Sequence, residues 1–462
     1  MVIPCVTGMI YSEGSALQFL GCIVFTGIVG FGLMNLKPKS REMGKREAIL
    51  LTGLTWIILS LFGMLPFLVT KTHFSVTDAF FETMSGFTTT GASVLDSLEG
   101  VPHSILIWRC IAQWIGGLGI ILFTLAILPM LNYQGGIQLF NAEVTGITHD
   151  KLRPRVGSTS KGLWIVYICL TCALVILLSF SDMDFFDSIC YGLSTMSTGG
   201  FANSDMSLGK WNSDYIKIIM TIFMFIGGVN FSLLFKLAHG ETRGILKNEA
   251  LRVYIGIIAS AFICFSATIL LRGIGSNWKD YTIDPLFQAV SILSSTGITI
   301  PGFRDWGSIN IIVLIMMMFM GACAGSTSGG AKIDRFIVLF KFLKNEFYRM
   351  MHPNAIRTVV INGKGTSNPI VMKTLAFLFM YIIVIAAGAV ILLLCGLPLK
   401  HGLFCALSAV SNTGLGTDIT GVEGTYSNVS DMAKWALSFL MLTGRLELYT
   451  VLLIFTPGFW KK

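Results

Sequence analysis

Apolar runs long enough to cross a membrane alternate along this chain with short polar stretches that end in glycine. A crossing helix needs about 20 apolar residues. Leu17–Leu36 and Ile49–Val69 meet that length, and the loop between them carries Lys37, Lys39, Arg41, Lys45 and Arg46. Met1–Ile10 is apolar but too short to span, and it lacks the basic start and small-residue cleavage site of a signal peptide. A third run extends from about Ser104 to Leu131. Three further pairs of runs follow: Leu163–Phe180 with Tyr215–Ala238, Tyr254–Leu271 with Ile309–Phe342, and Ile370–Leu394 with Met432–Phe455. Each pair brackets a polar stretch, so the unit helix, stretch, helix occurs four times. The expected boundaries are 48–135, 136–240, 241–350 and 351–462, after an extra helix and cytosolic loop over 1–47.

The bracketed stretches align without gaps. The first, Asp78–Gly91, reads DAFFETMSGFTTTG; the others are Asp187–Gly200, Asp284–Gly297 and His401–Gly414. Ser85, Ser194, Ser291 and Ser408 share one position, and Gly91, Gly200, Gly297 and Gly414 share another. Self-similarity of this kind marks repeat architecture. An Asp opens three copies and is suited to cap a short helix, and Pro285 suits a first helical position. A polar tail then closes on glycine, the residue that adopts positive φ readily. A short helix whose partly negative C-terminal end points at such a tail favours a cation there. Carbonyl oxygens from four tails would form a ring able to replace an ion's water. The stretches therefore read as pore loops.

Composition agrees with membrane residence: 53% of residues are hydrophobic and 13% charged, with a mean hydropathy of +0.73, against about 25% charged in soluble domains. The net charge of +8 is spread through loops, which is no nucleic-acid footprint. With the linkers, the first loop and Lys461–Lys462 on one side, most of the 33 Lys and Arg lie there. That side is cytosolic, and the pore stretches enter from outside. All ten cysteines fall in or beside apolar stretches, and Cys169 and Cys172 read as small hydrophobes rather than a redox pair.

Two features interrupt the hydropathy. The trailing helix of the third unit contains GACAGSTSGGAK, Gly321 to Lys332. Such a break at membrane depth is tolerated where it is packed in protein or lines a watery cavity. It reads as a helix kink or, more sharply, as a plug beneath the filter, since the other three trailing helices show no comparable insertion. Arg445 sits within the fourth trailing helix, where a cation must find a partner. Glu447, two residues on, faces another part of the helix. The carbonyls of the glycine-rich break are then candidate partners, beside simple structural pairing. Gly325–Lys332 is no phosphate loop, because Ala331 stands where lysine is required. No nucleophile elbow is present there, and the six histidines have no ligand spacing. An enzyme is disfavoured.

FFETMSGFTTTGAS, WIGGLGI, STGGF, SSTGIT, GACAGSTSGGAK and SNTGLG together resemble the Trk/Ktr/HKT superfamily of cation transporters, from Leu17 onward. The resemblance implies an all-α integral membrane protein: four helix–pore loop–helix repeats in pseudo-fourfold arrangement around one ion pore, plus an N-terminal extra helix. Bacterial members carry two extra helices; here only one full span precedes the repeats. Potassium is the implied transported ion, with no organic cofactor in this chain. The implied filter is Thr89, Thr90, Gly91, Thr198, Gly199, Gly200, Ser295, Thr296, Gly297, Asn412, Thr413 and Gly414. Gly91 favours potassium, since some plant relatives with serine there favour sodium. The implied gate is Gly321, Gly325, Ser326, Thr327, Ser328, Gly329 and Gly330, held by Arg445. The resemblance also implies a homodimer in the bacterial inner membrane lipid, regulated by a cytosolic nucleotide-binding subunit similar to TrkA. Uptake down the electrochemical gradient is the first reading and coupled symport with protons or sodium the alternative; a non-transporting scaffold leaves the registered glycines unexplained. Glu82 is the one acid within the first pore helix proper, and the second and fourth have none inside, which favours the channel-like reading.

Overall fold

The computed structural model of the chain describes residues 1–36, 45–70, 74–117, 119, 156–211, 213–242, 244–275, 277–418, 420 and 425–460. Lys37, Lys39 and Arg41 of the basic loop, the third span from 120 to 131, Lys151, Arg153, Arg155, Arg243 and Lys461–Lys462 lie outside the described residues. Among the described residues the molecule is α-helical apart from one hairpin, β1 (Val359–Ile361) with β2 (Lys364–Thr366), antiparallel with Val359 opposite Thr366.

Two N-terminal helices, α1 (Val2–Ile10) and α2 (Ser15–Met34), precede four repeats. The leading helices are α3 (Lys45–Gly63) continued by α4 (Leu65–Val69), then α7 (Val156–Ser179), α11 (Glu249–Arg272) and α15 (Asn368–Leu394). The pore helices are α5 (Val76–Phe87), α8 (Phe185–Met196), α12 (Ile283–Leu293) and α16 (Leu399–Val410). The trailing helices begin as α6 (His103–Gly117), α9 (Asp214–Gly228), α13 (Ser308–Met320) and α17 (Asp431–Arg445). Leading helices are long, apolar and mostly turned toward lipid, whereas pore helices are apolar and buried nearly throughout. The chain is a multi-pass membrane protein.

Three expectations change. The first-turn aspartates do not cap their helices. Ser75 caps α5, accepting from Asp78 N at 3.1 Å, and Asp78 and Asp187 lie further along the first turn. There they meet lysines instead: Lys434 on Asp78 (2.6 Å), Lys217 on Asp284 (2.6 Å) and Lys210 on Asp187 (3.1 Å). Lys217 and Lys434 hold the same place, the fourth residue of α9 and α17, and each reaches the pore helix of the next repeat. In the third trailing helix that place is Ile311, and the fourth pore helix has His401 in place of the aspartate. Both halves of the pair are missing together, as expected where an unpaired charge would be left near lipid.

The trailing helices of repeats two and four are also not continuous. α9 meets α10 (Phe231–Ala238) at 105°, and α17 meets α18 (Leu448–Ile454) at 119°. The break in repeat three is therefore the longest of several, separating α13 from α14 (Ile333–Met351). Gly116, Gly227 and Gly444 mark the common point: a Cβ on Gly116 or Gly444 would overlap the Phe87 or Val410 carbonyl at the end of the pore helix of the same repeat, and one on Gly227 would crowd the Thr198 methyl of the tail that follows it. Such close passage leaves no room for a side chain.

Finally, the apolar N-terminal stub is a formed helix. α1 folds back on α2 and α6, with the Cys5 thiol donating to the Ala16 carbonyl at 3.4 Å. Glu13, in the turn between them, caps α6. One carboxylate oxygen accepts His103 N (2.6 Å) and Nδ1 (2.9 Å); the other accepts Ser104 N (3.2 Å) and Oγ (3.0 Å). Burial raises the Glu13 pKa, but these four bonds outweigh it and hold it below its ordinary value of 4.5. Because the folded value is depressed, the stabilisation is present above pH 4.5 and is lost as pH falls through the lower folded value. Glu13→Ala should cost about 0.5–2 kcal/mol at pH 7. In detergent its thermal midpoint should lie below wild type at pH 7 and converge with it well below pH 4; a pH-independent gap would discard the cap.

Candidate functional site

The four tails after the pore helices carry one backbone turn. Thr89, Thr198, Ser295 and Asn412 all lie in the left-handed region, with φ of 52°, 53°, 57° and 52°. A non-glycine residue there is uncommon and persists only when its surroundings fix it. The fixing is visible: the next N–H, of Thr90, Gly199, Thr296 and Thr413, donates to the carbonyl of Ser85, Ser194, Ser291 and Ser408 at 2.9, 2.9, 2.9 and 3.0 Å. The repeated serine position thus supplies the acceptor that closes each turn.

The glycines follow, with φ of 83°, 83°, 74° and 76° at Gly91, Gly200, Gly297 and Gly414. Their surroundings close a ring. A Cβ on Gly91 would overlap the carbonyl oxygen of Gly199; on Gly200, that of Thr296; on Gly297, that of Thr413; and on Gly414, that of Thr90. Repeat one thus touches two, two touches three, three touches four, and four returns to one. Positive φ and a neighbouring carbonyl both demand glycine at these positions. Further contacts tighten the ring: Asn412 Nδ2 donates to Thr90 Oγ1 (3.0 Å) and to the Met441 carbonyl (2.9 Å). Hydroxyl pairs brace three tails, Thr88–Thr90 (2.8 Å), Ser294–Thr296 (2.7 Å) and Ser411–Thr413 (2.9 Å). All residues assigned to the filter from sequence are brought together here. Each pore helix ends directly before its tail, so its partly negative end lies beside the ring.

Behind the first tail is an ion pair the sequence did not reveal as such. Arg109 Nε donates to Glu82 Oε1 at 2.7 Å, with both side chains at most 2% exposed. Glu82 also accepts Ser93 Oγ (3.0 Å) and Val94 N (2.9 Å), and Arg109 lies over the Phe201 ring at 4.2 Å. The pair ties α5 and α6 to the segments leaving the first two tails. Gln113, one helical turn further along α6, donates to the Gly199 carbonyl at 2.7 Å. Buried polar residues on an otherwise apolar trailing helix were the available signal for both Arg109 and Gln113.

The glycine-rich break lies under the ring on its inner side. Gly321, Gly325 and Gly330 take φ of 67°, 73° and 78°. Thr198 Oγ1 donates to Thr327 Oγ1 (3.2 Å), and Thr327 Oγ1 donates to the Gly227 carbonyl (3.1 Å). The hydroxyls of Ser295 and Ser328 lie 3.2 Å apart, and a Cβ on Gly329 would overlap the Ser411 carbonyl. Ser326 Oγ donates to the Cys323 carbonyl at 2.6 Å. Lys332 Nζ donates to Ser326 Oγ (3.3 Å) and to the Ser328 carbonyl. Arg445 finds its partners in this break and beyond it: Nη1 donates to the Thr327 carbonyl (2.8 Å), and Nη2 to the carbonyls of Gly116 and Gly117, the latter at 2.7 Å. Glu447 pairs with Arg335 of α14, not with Arg445. Among the described residues no cluster of acidic, histidine or cysteine side chains has metal-binding geometry.

The model of the family described as "TrkH: Cation transport protein" matches residues 16–265 and 277–462. The chain is 34% identical to the Trk system potassium uptake protein TrkH of Escherichia coli K12, over all of this chain and 96% of that protein. It is 30% identical to the Trk system potassium uptake protein TrkG of the same organism, over all of this chain and 95% of that one. The crystal structure of the potassium transporter TrkH from Vibrio parahaemolyticus superposes with a TM-score of 0.88 at 32% identity, covering the whole of this chain and 96% of the other.

Removing one partner of the buried ion pair leaves an uncompensated charge, at a cost of about 3–5 kcal/mol. Arg109→Ala should therefore lower the thermal midpoint in detergent markedly, and Arg109→Lys, which cannot reproduce the guanidinium fork, should recover only part of it. A midpoint unchanged in Arg109→Ala would mean that Ser93 and Val94 satisfy Glu82 by themselves.

Proposed function

The chain belongs to the TrkH family of cation transport proteins, and from that premise we propose that it takes up potassium across the bacterial inner membrane through the ring of tails. The ion ligands in this reading are backbone carbonyls of Thr89 and Thr90, of Thr198 and Gly199, of Ser295 and Thr296, and of Asn412 and Thr413, with the filter glycines Gly91, Gly200, Gly297 and Gly414 setting selectivity. Carbonyls held by their own helices at fixed spacing replace the ion's hydration shell without reorganising, which is how such rings select among cations. The observation that carries the reading is the closed cycle in which each filter glycine abuts the carbonyl of the next repeat.

The segment Gly321–Gly330 acts as the gate in this reading. It occupies the inner approach to the ring and is held by Arg445, whose guanidinium also engages the end of α6. A cytosolic nucleotide-binding subunit similar to TrkA controls release of the gate, and two copies of the chain pair as a homodimer, each with its own pore. Movement down the electrochemical gradient fits better than coupling to protons or sodium. Glu82, the acid of the first pore helix, is buried and engaged by Arg109, Ser93 and the Val94 N–H, a set of structural contacts rather than a place on an ion path. Uptake needs no chemical fuel, since each inward charge gains about 2.3 kcal/mol per 100 mV of negative potential.

Purified protein in liposomes should take up potassium or rubidium in response to an inside-negative voltage with no proton or sodium gradient; uptake that requires either gradient would establish the symport alternative. Gly91→Ser should admit sodium more readily, because serine at this φ is strained by about 1–3 kcal/mol and meets the Gly199 carbonyl. An unaltered ion preference would remove Gly91 from the filter. Deleting residues 325–330 should raise basal uptake in the absence of the cytosolic partner, whereas a stable variant with lower uptake would end the gate assignment.

A further inference from the structure

Repeat two departs from the other three at one position of its tail. Thr90, Thr296 and Thr413 each brace their tail through a side-chain hydroxyl, and repeat two has Gly199 in that place. Ser197 donates to the Ser194 carbonyl at 3.0 Å, as Ser294 and Ser411 do to the Ser291 and Ser408 carbonyls, but with no hydroxyl at 199 it lacks the partner two residues on that those serines have. The space is not empty: a Cβ on Gly199 would run into the side chain of Gln113. Gln113 is fully buried and comes from the preceding repeat. At the corresponding place, three residues before the close helix passage, the second and fourth trailing helices have Met224 and Met441.

The bonds of Gln113 fit the role the threonine plays elsewhere. Its Nε2 donates to the Gly199 carbonyl at 2.7 Å; its Oε1 accepts Ser194 Oγ at 2.9 Å and Phe201 N at 3.2 Å. One amide thus connects the pore helix, the filter peptide and the strand leaving it. It also touches, through Gly199, the carbonyl against which Gly91 closes the ring. A carbonyl oxygen has two lone pairs, so the bond orients the Gly199 oxygen while leaving one lone pair free.

We propose that Gln113 is a positioning residue for ion selectivity: supplied in trans by repeat one, it replaces the missing filter threonine of repeat two and fixes the direction of the Gly199 carbonyl. The inference rests on the potassium-filter reading above. It requires Gln113 and Gly199 to be energetically coupled, because each occupies the space the other gives up.

The test measures rubidium and sodium uptake in liposomes containing the full chain. Wild-type protein that shows no preference for rubidium over sodium would overturn the filter reading itself; the remaining outcomes presuppose that preference. Gln113→Ala should reduce the preference about tenfold, the order expected when a buried acceptor loses its donor. Gly199→Thr alone should be worse than wild type, since its side chain meets Gln113. The double variant, Gln113→Ala with Gly199→Thr, should recover preference toward wild type because the new hydroxyl can pair with Ser197 as in the other tails. Unchanged preference in Gln113→Ala, or a double variant no better than the worse single one, would overturn the proposal. If Gln113→Ala does not fold, Gln113→Glu keeps the acceptor bonds and loses the donor to Gly199; wild-type preference in that variant would likewise overturn it.

Discussion

Each filter glycine has a neighbour's carbonyl oxygen where its side chain would be, and the order of neighbours closes on itself. This contact demands that four backbones converge to within van der Waals distance on one axis, which fixes the rest of the architecture. The pore helices must point their C-terminal ends inward and stop at the same depth. The left-handed turn after each must be held by the helix's own carbonyl, because there is no space for a stabilising side chain on the axis. The polar braces must then stand behind the tails, on the outer side of the ring, which is where the hydroxyl pairs, Gln113 and the Glu82–Arg109 pair are found.

Building that ring from one chain rather than four copies lets each position vary by itself, provided its partner varies too. The aspartate at the start of the pore helix and the lysine on the preceding trailing helix are present together at Asp284–Lys217 and Asp78–Lys434 and absent together at His401 and Ile311; where α6 has Leu106 in the lysine's place, Asp187 takes Lys210 from the segment after its own tail. The tail shows the same logic, with a bracing threonine in repeats one, three and four and, in repeat two, a glycine whose carbonyl accepts from a glutamine of repeat one. Symmetry is kept in the backbone and relaxed in the side chains.

The four-unit architecture was legible in the sequence because period, apolar length and glycine register all survive divergence. The positions that meet in the ring were legible for the same reason: they need glycine, and glycine is hard to substitute at positive φ. Less could be read where structure depends on contacts between repeats. The aspartates looked like caps, since lysines 23, 67 and 356 residues away leave no local mark. The sharp turns after Gly228 and Arg445 were not read because the helices on the two sides of each together pass as one apolar run, and hydropathy does not register a change of direction. Arg445 was recognisable as a cation in need of partners, but its link to Gly116 and Gly117 spans the first and last repeats.

Those turns carry a mechanical consequence. With α10 and α18 folded aside at 105° and 119°, the trailing helices of repeats two and four do not continue straight below the ring and could not be drawn together there like an iris. If Gly321–Gly330 is the gate, as proposed, obstruction would fall to ten residues of backbone held by a handful of bonds. A door so light would swing without tilting a transmembrane column, leaving the lipid around the protein and the packing of its outer wall undisturbed.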